Sequence, residues 1–141
     1  MRALLLAFAF LLAASAPSFA TVRILASPGG QIGQYLALFA MIDRAGEKVV
    51  IDGPCFSACT LVLSVLPKER ICVTNKAILG FHAAWLPDGR GRPITATEAT
   101  RLMYATYPSP VQRWIARKGG LSRKALLLRG KELAAMYRRC R

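Results

Sequence analysis

The first twenty residues decide how much of this chain is left to fold and in which compartment it folds. Arg2 precedes an unbroken apolar run over 3–14, and the small residues Ser18 and Ala20 occupy the −3 and −1 positions of a cleavage site. This order is typical of a secretory signal peptide, here 1–20, that is cleaved after Ala20. An uncleaved membrane anchor is the alternative, but a span needs about 20 apolar residues and this run has 12.

Removal of the signal peptide leaves one domain, 21–141, which we expect to be secreted or periplasmic. Its 121 residues have the ordinary length of a single domain and argue against a multidomain enzyme. The formal charge falls only from +13 to +12, because Arg2 is the one charged residue lost. A positive excess of that size points to an anionic partner or surface.

The expected export determines how the four cysteines are interpreted, which are Cys55, Cys59, Cys72 and Cys140. An even set in a small exported domain predicts two disulfides, and the sequence leaves all three pairings open. Free buried thiols and a zinc site are the alternatives. A zinc site would begin from Cys55 and Cys59, but no second close pair exists and His82 is the only histidine. We therefore expect neither a metal nor a cofactor.

Strand and helix signals alternate in the first half of the domain, which favours parallel β/α units and an α/β fold. Short apolar segments bounded by Gly, Pro or charged residues predict strands at 23–26, 48–52, 70–74 and 77–85. Apolar residues at helical spacing predict helices between them, at 31–44 and 57–66. The predicted β/α core therefore spans about 22–86.

The C-terminal part, about 94–141, is predicted to be a basic helical segment that follows a surface loop at 87–93. Apolar spacing predicts two longer and two shorter helices there, at 95–107, 110–118, after Ser122 and at 132–138. The first of these helices is opened by a capping box formed by Thr95 and Glu98.

Positive charge is concentrated near the C-terminus, where residues 111–141 hold ten Lys and Arg but only one acid. This segment is either a solvated surface or an attachment site for anionic envelope lipid, such as lipopolysaccharide. Nucleic acid is not expected as a partner, because the chain is exported and carries no recognised nucleic-acid motif.

Two strand-to-helix turns could carry chemistry, because both should lie at the carboxyl ends of neighbouring parallel strands. The first contains Gly29 and Gly30, where backbone N–H groups can approach a ligand. The second places Ser57 at a helix start with the N–H of Ala58 beside it, as a nucleophile and an oxyanion donor would stand. The plainer interpretations are a helix cap at Ser57, an ordinary glycine turn, and a core histidine at His82.

The order of these motifs resembles a known family. The chain reads Leu-Ala-Ser-Pro-Gly-Gly at 25–30, Cys-Phe-Ser-Ala-Cys at 55–59, Arg-Ile-Cys at 70–72 and Gly-Phe-His at 80–82. With Ser57 27 residues after Gly30 and His82 25 residues after Ser57, 22–85 is similar to the ClpP-like serine peptidases of the ClpP/crotonase superfamily. More narrowly, it resembles predicted periplasmic ClpP-like proteins.

The resemblance implies a ClpP/crotonase-like fold, shortened at the front because only 21–26 precede the glycine turn. It implies Ser57 as nucleophile, His82 as general base, and the backbone N–H groups of Gly30 and Ala58 as the oxyanion hole. Peptide or protein substrates and self-association into a homo-oligomer are implied in the same way.

Two functions follow as alternatives. The first is an exported ClpP-like serine hydrolase, most simply a peptidase. The second is a catalytically inactive protein of the same fold that binds a periplasmic ligand or associates with the envelope. The choice is open because the family's triad includes an acid downstream of the histidine. Here Asp88, Glu98 and Glu132 follow His82, and none lies in a matching motif.

Overall fold

The computed structural model describes residues 20–141, so all of the predicted signal peptide except Ala20 lies outside the described residues. Within that range the strands are β1 (Thr21–Ile24), β2 (Lys48–Ile51), β3 (Pro54–Phe56), β4 (Ile71–Val73), β5 (Ile78–Phe81), β6 (Trp85–Pro87), β7 (Pro93–Thr95) and β8 (Leu126–Arg129). The helices are α1 (Ile32–Arg44), α2 (Val62–Val65), α3 (Thr97–Thr106), α4 (Ser109–Arg117) and α5 (Gly130–Ala134), with 3-10 helices at Ser57–Leu61 and Lys68–Arg70. In this part of the chain, no helix is both long and apolar enough to cross a membrane.

Two small sheets form the centre of the domain, and the predicted α/β class is confirmed. In the first sheet β2 lies between β1 and β4, and all three strands are parallel. In the second, β5 pairs in parallel with β3 and antiparallel with β8. The helix α1 connects the parallel strands β1 and β2, as the β/α pattern predicts.

The core lies between these sheets and the helices. The side chains of β2 and β4 are nearly all buried, which explains why their sequence does not alternate between apolar and polar residues. Phe81 of β5 packs edge-on to Tyr107, with ring centroids 5.2 Å apart, and against Trp114 of α4 at 5.9 Å. The C-terminal segment therefore completes the same core through Tyr107 and Trp114 instead of forming a separate unit.

The short helix predicted after Ser122 is wrong, because that region forms the strand β8. Leu128 is fully buried there and lies opposite Leu79 of β5, so tertiary pairing overrides the helical preference of a leucine run. The strand predicted at 77–85 is also divided. It ends as β5 at Phe81, and Trp85 begins a different strand.

The predicted loop at 87–93 forms the end of a two-stranded hairpin of β6 and β7. Asp88 closes its turn by accepting hydrogen bonds from the backbone N–H groups of Arg90 and Arg92 at 2.8 and 2.9 Å. The predicted capping box is absent, because Thr95 is extended in β7 and the side chain of Glu98 pairs with Arg101 instead. As a result α3 begins at Thr97.

Two other helix predictions are modified. The helix predicted at 57–66 is divided into the 3-10 helix Ser57–Leu61 and the single turn α2. The helix predicted at 132–138 lies at 130–134 as α5. The short strand β3, immediately before Ser57, was not predicted.

Two disulfides are present, Cys55–Cys59 and Cys72–Cys140, so the prediction of two bridges is confirmed and one of the three pairings is selected. The first bridge closes the turn that contains Ser57. The second ties the C-terminal segment to β4. Two disulfides are typical of proteins that fold in an oxidising compartment, in agreement with the expected export.

Candidate functional site

The two turns singled out by the sequence are in direct contact. Ser27 donates its backbone N–H to Pro54 O at 2.8 Å and accepts from the N–H of Phe56 at 2.9 Å. Gly29 then turns with φ +85°, and a Cβ on it would lie 2.5 Å from both Phe56 O and the Cβ of Ser57. No side chain fits there, so the glycine allows the two backbones to meet.

Ser57 adopts an unusual backbone conformation. Its φ of +55° is the only positive φ of a non-glycine residue within 20–141. Such a conformation costs on the order of 1–3 kcal/mol and persists only where the surroundings impose it. Here Ser57 directly follows β3 and lies inside the Cys55–Cys59 bridge. The conformation is that of a serine presented on a sharp strand-to-helix turn.

A helix-capping role does not explain Ser57. It is the first residue of the 3-10 helix, whose preceding residue Phe56 makes no side-chain cap, and the hydroxyl of Ser57 has no hydrogen-bond partner among the described residues. The interpretation of Ser57 as a simple N-cap is therefore wrong. Its Oγ is available for another purpose.

The hydroxyl groups of Thr60 and Tyr107 form a hydrogen-bonded pair that supports the turn containing Ser57. The Thr60 hydroxyl donates to Ser57 O at 2.7 Å, so it accepts from the Tyr107 hydroxyl at 2.6 Å. Burial raises the pKa of Tyr107 to about 12, with the Thr60 hydrogen bond opposing the shift. The Tyr107 phenol therefore remains a donor throughout the physiological range. Sequence reasoning missed both residues, because nothing local relates positions 47 apart.

Alkaline pH should destabilise the protein through its buried tyrosines. Burial raises the pKa of Tyr107 and of Tyr137 to about 12, whereas both phenols ionise near 10 once unfolded. Between pH 10 and 12 the unfolded state binds fewer protons, so stability falls as the pH rises. We expect urea titration to show a loss of roughly 2–3 kcal/mol between pH 8 and 11. In Tyr107→Phe/Tyr137→Phe most of this loss should disappear, and an equal loss in that variant would contradict the assignment.

His82 immediately follows β5 and is half-buried. Its Nδ1 lies 2.7 Å from Ala83 O, and because a carbonyl oxygen can only accept, Nδ1 carries the proton. The lone pair then belongs to Nε2, which is the tautomer that a general base needs if Nε2 faces its substrate. His82 lies on the wall of a cavity, so the interpretation as a core histidine is also wrong.

That cavity, which we call the serine cavity, has a volume of about 800 Å³. Gly30, Ser57 and His82 lie on its wall. Its remaining lining is almost entirely apolar and includes Trp85 and Met103, and no charged side chain contributes to it. The structure thus brings three of the four predicted site residues to one surface.

The fourth predicted residue, Ala58, is buried beneath this surface beside Ser57. Its backbone nitrogen would lie 3.0 Å from a Cβ on Gly29, so the two turns approach each other at this nitrogen. Within residues 20–141, neither the N–H of Ala58 nor that of Gly30 donates a hydrogen bond to the protein. Unpaired backbone donors on adjacent turns are what an oxyanion hole requires.

Two interactions of a complete catalytic triad are absent among the described residues: the hydrogen bond from the serine to the histidine, and the hydrogen bond from the histidine to an acid. Among the described residues, no hydrogen bond joins Ser57 to His82. The three acids that follow His82 are each engaged elsewhere: Asp88 with Arg92, Glu98 with Arg101, and Glu132 with Lys118. The backbone N–H groups of Arg92 and Arg90 hold the pKa of Asp88 below its usual value, which keeps it ionised in its own turn. The position that an acid would take at Nδ1 is occupied by Ala83 O.

Sequence reasoning also missed the wall of the cavity formed by the hairpin. Trp85, Leu86 and Pro87 of β6 line the cavity, as does Gly91 of the turn. The signal was present, since Trp-Leu-Pro and Pro-Ile-Thr flank five residues that contain two glycines, as in a hairpin.

Metal ligation finds no support at this site. The sulfur atoms of Cys55 and Cys59 are bonded to each other. No group of three His, Cys, Asp or Glu side chains within the described part of the chain is placed to hold a metal ion. The ten Lys and Arg side chains of 111–141 are exposed, and among them only Lys118 forms an ion pair within the described residues. The chain matches no protein-family model and no curated protein, so function must be inferred from the residues around the serine cavity.

Proposed function

We propose that this chain is an exported serine hydrolase that cleaves ester or amide bonds with Ser57 as its nucleophile. The observation on which this proposal depends is the conformation of the turn at 55–59 that contains Ser57, which we call the serine turn. Ser57 has a positive φ, lies within a disulfide, has an unengaged hydroxyl and opens onto a cavity that His82 also lines. Strain of this kind is retained where a side chain must be presented in one orientation.

The chemistry follows from the groups around Ser57. Nε2 of His82 takes the hydroxyl proton as Oγ attacks the substrate carbonyl, and the N–H groups of Gly30 and Ala58 stabilise the oxyanion. His82 then protonates the leaving group, which departs and leaves an acyl-enzyme. Water attacks this ester with His82 again as base, and the acid product leaves. The hydrogen bond between Ser57 and His82 would form when substrate binds, as is common in enzymes whose free site is loose.

The Ala83 carbonyl takes the orienting place of the acid. It fixes the ring and the tautomer, as the acid of a triad does, but it carries no full charge to stabilise the imidazolium. We therefore expect slow turnover with rapid acylation by reactive esters. The resemblance to ClpP-like serine peptidases supports the same assignment and suggests peptide or protein substrates and a homo-oligomer.

A second candidate is a binding protein of the same fold that performs no chemistry. It is favoured by the absence of a Ser57–His82 hydrogen bond among the described residues and by a cavity wall without a carboxylate. In that case the serine cavity would hold a ligand and release it unchanged.

Labelling with a fluorophosphonate probe separates the two candidates. The wild-type protein should be labelled, Ser57→Ala should not, and Ser64→Ala on α2 is the matched control that should label normally. His82→Gln should slow labelling by roughly 100-fold or more, as loss of a general base does. An unlabelled wild type would favour the binding protein, and equal labelling of Ser57→Ala would exclude Ser57 as the nucleophile.

A further inference from the structure

The hairpin, residues 85–95, exposes more apolar surface than its size requires. Trp85, Leu86 and Ile94 are 53%, 60% and 53% exposed, and Leu86 and Ile94 lie opposite each other on the paired strands. The hairpin forms its own two-stranded sheet and joins neither of the other two. A cluster of large exposed apolar side chains on one small element is typical of an interaction surface.

This exposed surface is continuous with the serine cavity. Trp85 and Leu86 line the cavity and are also open to solvent, as is Pro87 beside them. Met103 of α3 also lines the cavity and is nearly buried. A ligand passing from the hairpin into the cavity would therefore meet apolar side chains and no charged ones.

The turn of the hairpin is basic. Arg90 is exposed and its guanidinium has no carboxylate partner in the described range, and Arg92 stays 69% exposed while paired with Asp88. The whole chain carries a formal charge of +13. Exposed tryptophan and aliphatic side chains next to arginine are the composition of segments that lie at the surface of an anionic membrane.

Each strand of the hairpin contains a proline, and Pro87 and Pro93 lie opposite each other. Proline cannot donate a ladder hydrogen bond, so both edges of this short hairpin are poor templates for an added strand. An extended peptide or a second copy pairing with the hairpin edge is thereby disfavoured, and a lipid surface is not.

We propose that the hairpin docks the mouth of the serine cavity onto an anionic lipid surface, and that the cavity accepts the acyl chain of a lipid ester. The proposal of docking depends only on the hairpin, whereas the proposal of an acyl-chain substrate depends also on the proposed hydrolase activity. In that reaction Ser57 Oγ bonds to the acyl carbon as the bond from that carbon to the lipid alcohol breaks. The serine proton passes through His82 to the alcohol, and water then releases the fatty acid and restores the serine.

Docking is tested with Ser57→Ala, so that binding is measured without hydrolysis. The protein should co-sediment with phosphatidylglycerol vesicles and much less with phosphatidylcholine vesicles at low salt. Trp85 is the exposed tryptophan and Trp114 is buried, so brominated acyl chains should quench the Trp85 emission. Adding Trp85→Ser, Leu86→Ser and Ile94→Ser should weaken binding at least tenfold.

The matched control removes three exposed apolar side chains from α1, through Leu36→Ser, Leu38→Ser and Met41→Ser. This control should bind as Ser57→Ala does, and urea unfolding should show that both triple variants remain fully folded in the buffer used for binding. Failure to bind either vesicle, or equal loss in both triple variants, would overturn the proposal. A hairpin-dependent dimer that does not bind lipid would overturn it as well.

The substrate half is tested with p-nitrophenyl esters of increasing acyl length. We expect kcat/KM to rise by up to about fourfold for each CH2 that the cavity buries. A preference for the acetyl ester, in a protein that still reacts with the fluorophosphonate, would reject the acyl-chain substrate but leave the hydrolase standing. No hydrolysis and no labelling would instead be the failure of the hydrolase, and the vesicle result would still be informative about docking.

Discussion

Gly29→Ala should abolish labelling at Ser57 and destabilise the protein by about 2–5 kcal/mol, through left-handed strain together with overpacking. The added Cβ would lie 2.5 Å from Phe56 O and from the Cβ of Ser57. Since neither partner is the end of a flexible side chain, the backbone itself must move. That movement separates the two turns, and with them the N–H groups proposed to stabilise the oxyanion.

Gly33→Ala is the control for this substitution. Gly33 lies in α1, and a Cβ there would meet nothing within 4 Å, so the change should stabilise the helix by up to about 1 kcal/mol. Labelling rate and the urea midpoint should be measured for both variants. If Gly29→Ala matched the wild type in both measurements, the close approach of the two turns would be contradicted.

Removing the bridge Cys72–Cys140 should lower the free energy of unfolding by about 4 kcal/mol, from the chain-entropy relation for a loop of this length. The two cysteines are 68 positions apart, so the reduced unfolded chain gains much more freedom than it would from a short loop. The contacts that the bridge fixes, from Cys140 N to Val73 O and from Val73 N to Arg138 O, should then open first. The measurement is the free energy of unfolding in urea of the variant Cys72→Ala/Cys140→Ala, compared with that of the wild type.

The other bridge provides the comparison. Cys55 and Cys59 are only four positions apart, so the same relation gives about half that effect on stability for Cys55→Ala/Cys59→Ala. Its effect on labelling should be the larger of the two, because the bridge encloses Ser57. If the long bridge proved the less stabilising, structure retained in its reduced unfolded chain would have to account for it.

The arrangement of the serine turn followed from local sequence signals. A double glycine after one strand and a serine after the next parallel strand are expected at the same edge of a sheet, so Gly30 and Ser57 could be placed together in advance. The structure brings the two turns together in another way, because Ser57 follows β3 of the second sheet and the β-bridge between Ser27 and Cys55 joins the turns. His82, by contrast, was predicted inside a strand at 77–85, and only the resemblance implied a role for it at this site. None of these inferences required knowledge of side-chain positions.

The remainder depends on contacts that the sequence does not encode locally. Leu126, Leu127 and Leu128 have a helical preference, and only the free edge of β5 makes them a strand. The hydroxyl support from Thr60 and Tyr107 joins residues from separate helical regions. Likewise, the role of Ala83 O at His82 belongs to a backbone atom, so no search for an acid along the sequence could have found it.

The position of β5 has a consequence for the order in which the domain assembles. β5 immediately precedes His82 and lies between β3 and β8. One of its edges can therefore pair only after residues about 45 positions later in the chain have been made. Cys72 likewise can form its disulfide only after Cys140 has been made. A chain emerging N-terminus first can form β1, α1 and β2 early, but it cannot enclose β5 until 126–129 have arrived. Closure through such distant contacts is slow, so β5, which ends beside His82, gains its second paired edge late in folding.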